Sequence, residues 1–406
     1  MSELSVSVSG DCAERFAPVR RAFLENFERR GERGASLCVW YQGERVVDLW
    51  GGQTAQGQAW EADSLTTLFS CTKGVAAMAL LKLVERGALE LDEPVSRYWP
   101  ELGVPVEGEG AEPSFEALRP SFSVRTLLNH RAGLVGLRQP LSLDELEDPA
   151  RVAQRLEREP LAWRPGERQG YHAITFGLLV AELFRRVAGE PLGGFISREL
   201  TGPLGADLYL GLPPEHDERC VEIIPNGPRE LLTGIIPNLL VGQGNEGRFY
   251  RGALFGGPGK LAFGQPEALG ARGLKNFNSP RVRRMELAWA NAMGSARGLA
   301  RLYQGLIAGE LVDLKLIEPL KERQSWREPD VVIRKPMGFS QGFVKEQTSL
   351  FSPHEEAFGH PGAGGALGWA DPREGLAIGY VMNKMGYQVR SPRAIALCHA
   401  VYESIR

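Results

Sequence analysis

Ser70 and Lys73 stand three residues apart in Phe69-Ser70-Cys71-Thr72-Lys73-Gly74, directly ahead of an almost wholly apolar run. On a helix, residues three apart share a face, with Cβ atoms about 5–6 Å from one another. The Lys73 amine could therefore reach the Ser70 hydroxyl. A serine hydroxyl is a weak nucleophile without an adjacent base. A desolvated lysine titrates below its usual value and can serve as one. The start of a helix also favours the negative charge that develops on attack. By spacing alone, an ordinary explanation has equal weight: Ser70 as a helix cap, Lys73 as a charge with a buried stem. Placement tips the balance, because a charge ahead of an apolar helix needs a reason.

A second serine sits in an equally short pattern. Gly338-Phe339-Ser340-Gln341-Gly342 matches Gly-x-Ser-x-Gly, the nucleophile turn of α/β-hydrolases, which requires a strand before it and a helix after it. Here the strand-like pair Phe343-Val344 follows. A triad of Ser340, His360 and Asp371 would also place the acid after the histidine, the wrong chain order. Ser340 is expected to be non-catalytic. His130, His172, His216, His354 and His399 show no metal-ligand spacing, and Cys12, Cys38, Cys71, Cys220 and Cys398 form no C-x-x-C pair. Neither a metal nor a cofactor is expected.

The elements that must position these groups follow from periodicity. Glu14–Arg30 carries Phe16, Val19, Phe23, Leu24 and Phe27 at helical spacing. Ala35–Trp40 and Arg45–Leu49 read as a hairpin about Gln42-Gly43-Glu44. Val75–Val84 is apolar except for Lys82 and rich in Ala and Leu, which predicts a buried helix stopped by Gly87. Ser123–Asn129, Ile174–Val187, Glu286–Gly309 and Pro392–Ile405 read as further helices. Gly365–Ala370 and Gly375–Asn383 read as a second hairpin about Asp371-Pro372-Arg373-Glu374. Gly227–Ser279 is rich in Gly and Pro yet too apolar for a free linker. Irregular structure around a pocket is expected there, with Phe249, Tyr250 and Phe255 as candidate lining residues. Strands at both ends and helices between them predict an α+β fold. Residues 1–70 and 290–406 would build an antiparallel sheet flanked by helices. Residues 71–289 would form a mainly helical domain, with the site at the junction.

Composition narrows the function classes. The 406 residues are 43% hydrophobic and 24% charged, enough for a large core. The formal net charge is -3 with no basic stripe, so nucleic acid is not an expected partner. Arg281, Arg283 and Arg284 read as a solvated helix face. No run of about 18 apolar residues predicts a membrane span. Met1-Ser2-Glu3-Leu4-Ser5-Val6 has neither a basic nor an apolar leader region, and the scattered, odd-numbered cysteines suit a reducing compartment. A cytoplasmic location is expected.

Phe69–Gly74, its apolar helix and Arg86-Gly87-Ala88-Leu89-Glu90-Leu91-Asp92-Glu93-Pro94-Val95 resemble the serine β-lactamase and penicillin-binding-protein superfamily. The likeness extends to Leu127-Leu128-Asn129-His130-Arg131-Ala132-Gly133-Leu134, Trp163-Arg164-Pro165-Gly166, Tyr171-His172-Ala173, Pro203-Leu204-Gly205 and His360-Pro361-Gly362. Within that superfamily the chain is most similar to class C-like members, notably the family VIII carboxylesterases. The resemblance implies a β-lactamase/transpeptidase-like fold and an acyl-enzyme on Ser70, activated by Lys73 and Tyr171. A nearby ammonium would favour the Tyr171 phenolate, and either group could take the serine proton first. The backbone N–H groups of Ser70 and Ala363 would form the oxyanion hole. His360, Gly362 and Trp163 would contact substrate, with Gly362 letting it approach the strand closely.

Two departures from the family pattern bear on the substrate. His360 stands where β-lactamases carry a lysine that binds the lactam carboxylate, and Ala173 replaces an amide that contacts substrate. Both favour small neutral esters. A carboxylesterase is therefore the expected activity. The alternatives are a β-lactamase or D-amino-acid peptidase on the same fold, a non-catalytic binding or assembly member, and an acyltransferase. The oligomeric state is left open.

Overall fold

The computed structural model describes residues 6–241, 244–264, 266–270 and 273–406. A nine-stranded antiparallel sheet forms its frame. The strands are β1 (Val8–Cys12), β2 (Gly34–Tyr41) and β3 (Glu44–Gly52) from the N-terminal segment. From the C-terminal segment come β7 (Ser325–Arg327), β8 (Met337–Ser340), β9 (Phe343–Lys345), β10 (Phe358–Pro361), β11 (Leu367–Asp371) and β12 (Leu376–Met382). Their order is β1-β3-β2-β12-β11-β10-β9-β8-β7, so β2 and β12 join the two chain ends over seven residue pairs. A second, small sheet joins β4 (Thr66–Thr67), β6 (Met293–Gly294) and β5 (Leu208–Tyr209) beside the nucleophile segment.

Both expected hairpins form. In the first, Tyr41 pairs with Glu44 across a two-residue loop in which Gln42 (φ 52°) and Gly43 (φ 83°) have positive φ. That backbone suits the right-handed twist of the flanking strands. In the second, β11 begins at Leu367, two residues later than expected.

Successive side chains of a strand face opposite ways. On β12, Gly379 faces the helix Ala296–Ile307, where a methyl would lie 2.3 Å from the Ala296 carbonyl oxygen. Its cross-strand partner Gly368 would place a methyl 2.4 Å from the Tyr303 ring. The bare backbone of this glycine pair lets the helix lie directly on the sheet. Tyr380, one residue on, points to the other face. There its phenol donates to Glu32, which pairs with Arg393 of the helix Pro392–Ile405. The helix Ala17–Arg29 packs against that C-terminal helix.

The helix Cys71–Glu85 is buried along nearly its whole length. It packs on β10, on the helix Thr175–Ala188 and on the short helix Leu192–Ile196. It thus lies between the sheet and the helical segments. Among the described residues, no helix is long and apolar enough to cross a membrane.

Two expectations are corrected. The stretch Gly227–Ser279 is not irregular: its described residues include the helices Ile236–Val241, Gly244–Phe255 and Gly257–Phe263. Apolar residues on their inner side supply packing that outweighs the glycine cost. The expected helix Glu286–Gly309 begins only at Ala296, because Ser295 caps it and Asn291 holds the preceding turn. The Asn291 amide donates to the carbonyls of Val282 and Met285.

Candidate functional site

Phe69 takes an uncommon positive φ of 46°, and the turn it makes presents Ser70 half-exposed at the start of the buried helix. Lys73, one turn on, is fully buried. Its Nζ lies 3.1 Å from Ser70 Oγ and donates to the Trp289 carbonyl at 2.9 Å. Burial pushes the Lys73 amine well below its ordinary range. The fold thus favours an uncharged amine beside the hydroxyl.

The Trp289 turn is stitched to the nucleophile segment. Leu68 N–H donates to the Ala292 carbonyl at 2.9 Å, and Ala292 N–H donates to Thr72 Oγ1 at 3.1 Å. Gly177 makes room for the turn, since a methyl there would lie 2.2 Å from Trp289 N.

Tyr171 brings its ring to 5.1 Å from Lys73 Nζ, and its phenol shares a hydrogen bond with Ser70. The expectation that the nearby ammonium lowers this phenol is corrected. Burial is the larger effect and raises it, while the same burial pushes the Lys73 amine down. Three consecutive N–H groups fix the Tyr171 backbone. Gly170 N–H donates to the His130 carbonyl (3.1 Å), Tyr171 N–H to Asp330 Oδ1 (3.2 Å), and His172 N–H to His130 Nδ1 (3.0 Å). The His130 ring centroid lies 5.0 Å from that of Tyr171.

Asp330 is itself buried and also accepts the N–H groups of Val332 and Ile333, both at 2.9 Å. Asp followed two and three residues later by such donors is a legible turn signal. Its reach to Tyr171 is not legible, because the two stand 159 positions apart. His130 and Trp289 gave no usable signal, since each acts through a backbone group or a ring nitrogen placed by the fold.

His360 ends β10 inside the site. Its Nδ1 lies 2.9 Å from the Pro361 carbonyl, which makes Nδ1 the donor and leaves Nε2 a bare acceptor. Burial, reinforced by Lys73, pushes the imidazole down to about 3. It is neutral at physiological pH. Neither Ser70 N–H nor Ala363 N–H donates to a backbone carbonyl among the described residues. At Gly362 a methyl would lie 2.5 Å from the Leu68 carbonyl oxygen, so its bare backbone admits the chain's own nucleophile segment.

Trp163 is buried behind the Tyr171 loop, edge-on to His172. Of the other candidate lining residues, Phe249 packs against the Tyr171 and Trp163 cluster. Tyr250 donates to the Tyr387 carbonyl, and Phe255 is 73% exposed on the outside.

Ser340 lies apart from this constellation. It ends β8, donates to the Pro319 carbonyl at 2.9 Å, and leads through Gln341 and Gly342, both at positive φ, straight into β9. The turn joins two strands, so no nucleophile elbow exists. A cavity of about 340 Å³ lined by Trp40, Arg45, Asp63, Asp207, Arg297 and Arg301 contains none of the candidate residues.

A family model described as Beta-lactamase matches residues 19–400. The chain is 32% identical to Esterase/beta-lactamase LipL of Mycobacterium tuberculosis, over 93% of this chain and 83% of that protein. It superposes on a family VIII carboxylesterase with a TM-score of 0.83 and 31% identity, over 98% of this chain and 100% of the other. A penicillin-binding protein homologue from Caulobacter crescentus matches with a TM-score of 0.80 and 30% identity, again over 98% and 100%. With the family model spanning nearly its whole length, the chain belongs to the beta-lactamase family.

Proposed function

We propose that this protein is a serine carboxylesterase that cleaves small esters through an acyl-enzyme on Ser70. The observation that carries the reading is a buried, charge-disfavouring Lys73 with Nζ 3.1 Å from Ser70 Oγ. Neutral Lys73 takes the hydroxyl proton as Oγ attacks the ester carbonyl. The N–H groups of Ser70 and Ala363 hold the resulting oxyanion. The tetrahedral intermediate collapses, the ester C–O bond breaks, and the leaving alkoxide takes a proton delivered through Lys73 and the Tyr171 phenol. Water then attacks the acyl-enzyme with the same groups in the same roles and releases the acid.

Esters are favoured over β-lactams by His360, whose neutral ring offers no fixed positive charge to a lactam carboxylate. The naming of LipL as an esterase and of the structural relative as a carboxylesterase agrees with this choice. We also assign residues 1–70 and 290–406 to one domain and 71–289 to a second. A reducing, cytoplasmic setting suits the five cysteines, all free thiols.

The test is hydrolysis of p-nitrophenyl acetate, butyrate and octanoate, with nitrocefin alongside, by wild type, Ser70→Ala and Ser340→Ala. Loss of ester cleavage in Ser70→Ala alone, with nitrocefin slow or inert, is expected. Fast nitrocefin turnover would move the assignment to a β-lactamase, and loss in Ser340→Ala alone would sink the Ser70 mechanism.

A further inference from the structure

Of the seven large hydrophobic side chains that stand exposed among the described residues, five lie within residues 231–263: Leu232 (65% exposed), Ile236 (39%), Leu240 (72%), Leu254 (49%) and Phe255 (73%). Leu232, Ile236 and Leu240 recur every fourth residue, on successive helical turns. Arg251 donates to the carbonyls of Leu239 and Leu240 at 2.8 and 2.7 Å. Leu254 and Phe255 follow one turn after Arg251, so the two groups adjoin. Contiguous exposed apolar surface of this kind marks an interaction site.

The same segment has a second, inward side. Phe249, Leu261 and Phe263 pack on the cluster that holds Tyr171 and Trp163. The exposed patch therefore lies on the outside of the wall behind the candidate site. Its charge is one-sided. Residues 231–263 carry the exposed cations Arg248, Arg251 and Lys260, and a single acid, Glu246. Glu246 is turned inward, where it pairs with buried Lys335 and accepts Val389 N–H. A locally basic, apolar surface thus stands on a chain whose net charge is -3.

We propose that this face docks the protein on an anionic lipid surface. Apolar side chains flanked by Arg and Lys match the boundary between acyl chains and anionic headgroups. A second copy fits less well, because a two-fold contact would bring the same cations together.

Flotation with vesicles of phosphatidylcholine, with and without phosphatidylglycerol, tests this. Wild type is expected to float with the anionic vesicles and to release in high salt. Leu240→Asp with Phe255→Asp should weaken that binding about tenfold or more, while p-nitrophenyl acetate hydrolysis stays unchanged. Ser70→Ala should float like wild type, since docking needs no acylation. Flotation of an inactive wild type would thus spare this proposal and sink the esterase reading. Three results would overturn it: no binding to anionic vesicles, binding indifferent to the double substitution, or a wild-type dimer in sedimentation that the double substitution splits.

Discussion

Lys73 and His360 lie in the same buried space, and burial acts on both in one direction. It disfavours the charge on each, pushing the Lys73 amine well below its ordinary range and the His360 imidazole down to about 3. Two predictions belong at this scale. Lys73→Ala should lower kcat/KM by about 10²–10⁴-fold, the usual range for a positioned base. An amine is a base only when deprotonated, so wild-type kcat/KM should fall as acid protonates Lys73, with its inflection well below the ordinary lysine range. Lys73→Arg, charged at every pH, should not restore activity; a fully active Lys73→Arg enzyme would rule out the base role. The second prediction concerns His130, which holds the N–H groups on both sides of Tyr171. His130→Ala should reduce kcat about 10- to 100-fold through misplacement of Tyr171, with a smaller change in KM. His130→Asn should recover part of it, because Asn supplies an acceptor near Nδ1 and tolerates the φ of 57° found there. Equal losses in both variants would reduce His130 to a packing residue.

At the scale of elements, close approach of backbones decides the geometry. The Gly368 and Gly379 pair seats the helix Ala296–Ile307 on the sheet, and Gly362 admits the Leu68 carbonyl beside the end of β10. Gly379→Val should destabilise the protein by about 1–3 kcal/mol through overpacking, read as a lower urea midpoint with an unchanged slope. Gly362→Ala acts next to Ser70, so its loss of kcat should exceed what its loss of stability explains. The helices of residues 236–263 show where periodicity fails. Their glycines and prolines mask a helical pattern that tertiary contacts through Phe249 and Phe263 sustain.

For the molecule as a whole, three buried histidines set the response to acid. Burial lowers His130 well below 6.5, His172 to about 4 and His360 to about 3. In the unfolded chain each would titrate near 6.5. Below that pH the unfolded state binds protons that the folded state refuses, so stability falls as pH drops. The loss approaches about 1.4 kcal/mol per pH unit for each histidine, from pH 6.5 down to the folded values. Urea unfolding at pH 7 and pH 5 should show the drop. His172→Gln should flatten it relative to wild type, and an unaltered slope would contradict the buried, neutral state of His172.

Local order carried much of this protein in its sequence. The helix after Ser70, both hairpins and the C-terminal helix were legible, because apolar spacing and turn residues act over a few positions. So was the Ser70 and Lys73 pair, since three residues on a helix fix a distance. The rejection of Ser340 was also local, resting on the strand-like Phe343-Val344. Tyr171 was legible only through family likeness, for no spacing ties it to residue 70. Tertiary structure alone decided the rest. Burial depth shifted the titration of Lys73, Tyr171 and His360, and burial is a property of everything packed around a group. Trp289 entered the site through its backbone carbonyl, and His130 and Asp330 through side chains that only the fold brings to Tyr171. Gly362, whose identity was plain, turned out to make room for Leu68, since only the folded chain shows which neighbour fills a space.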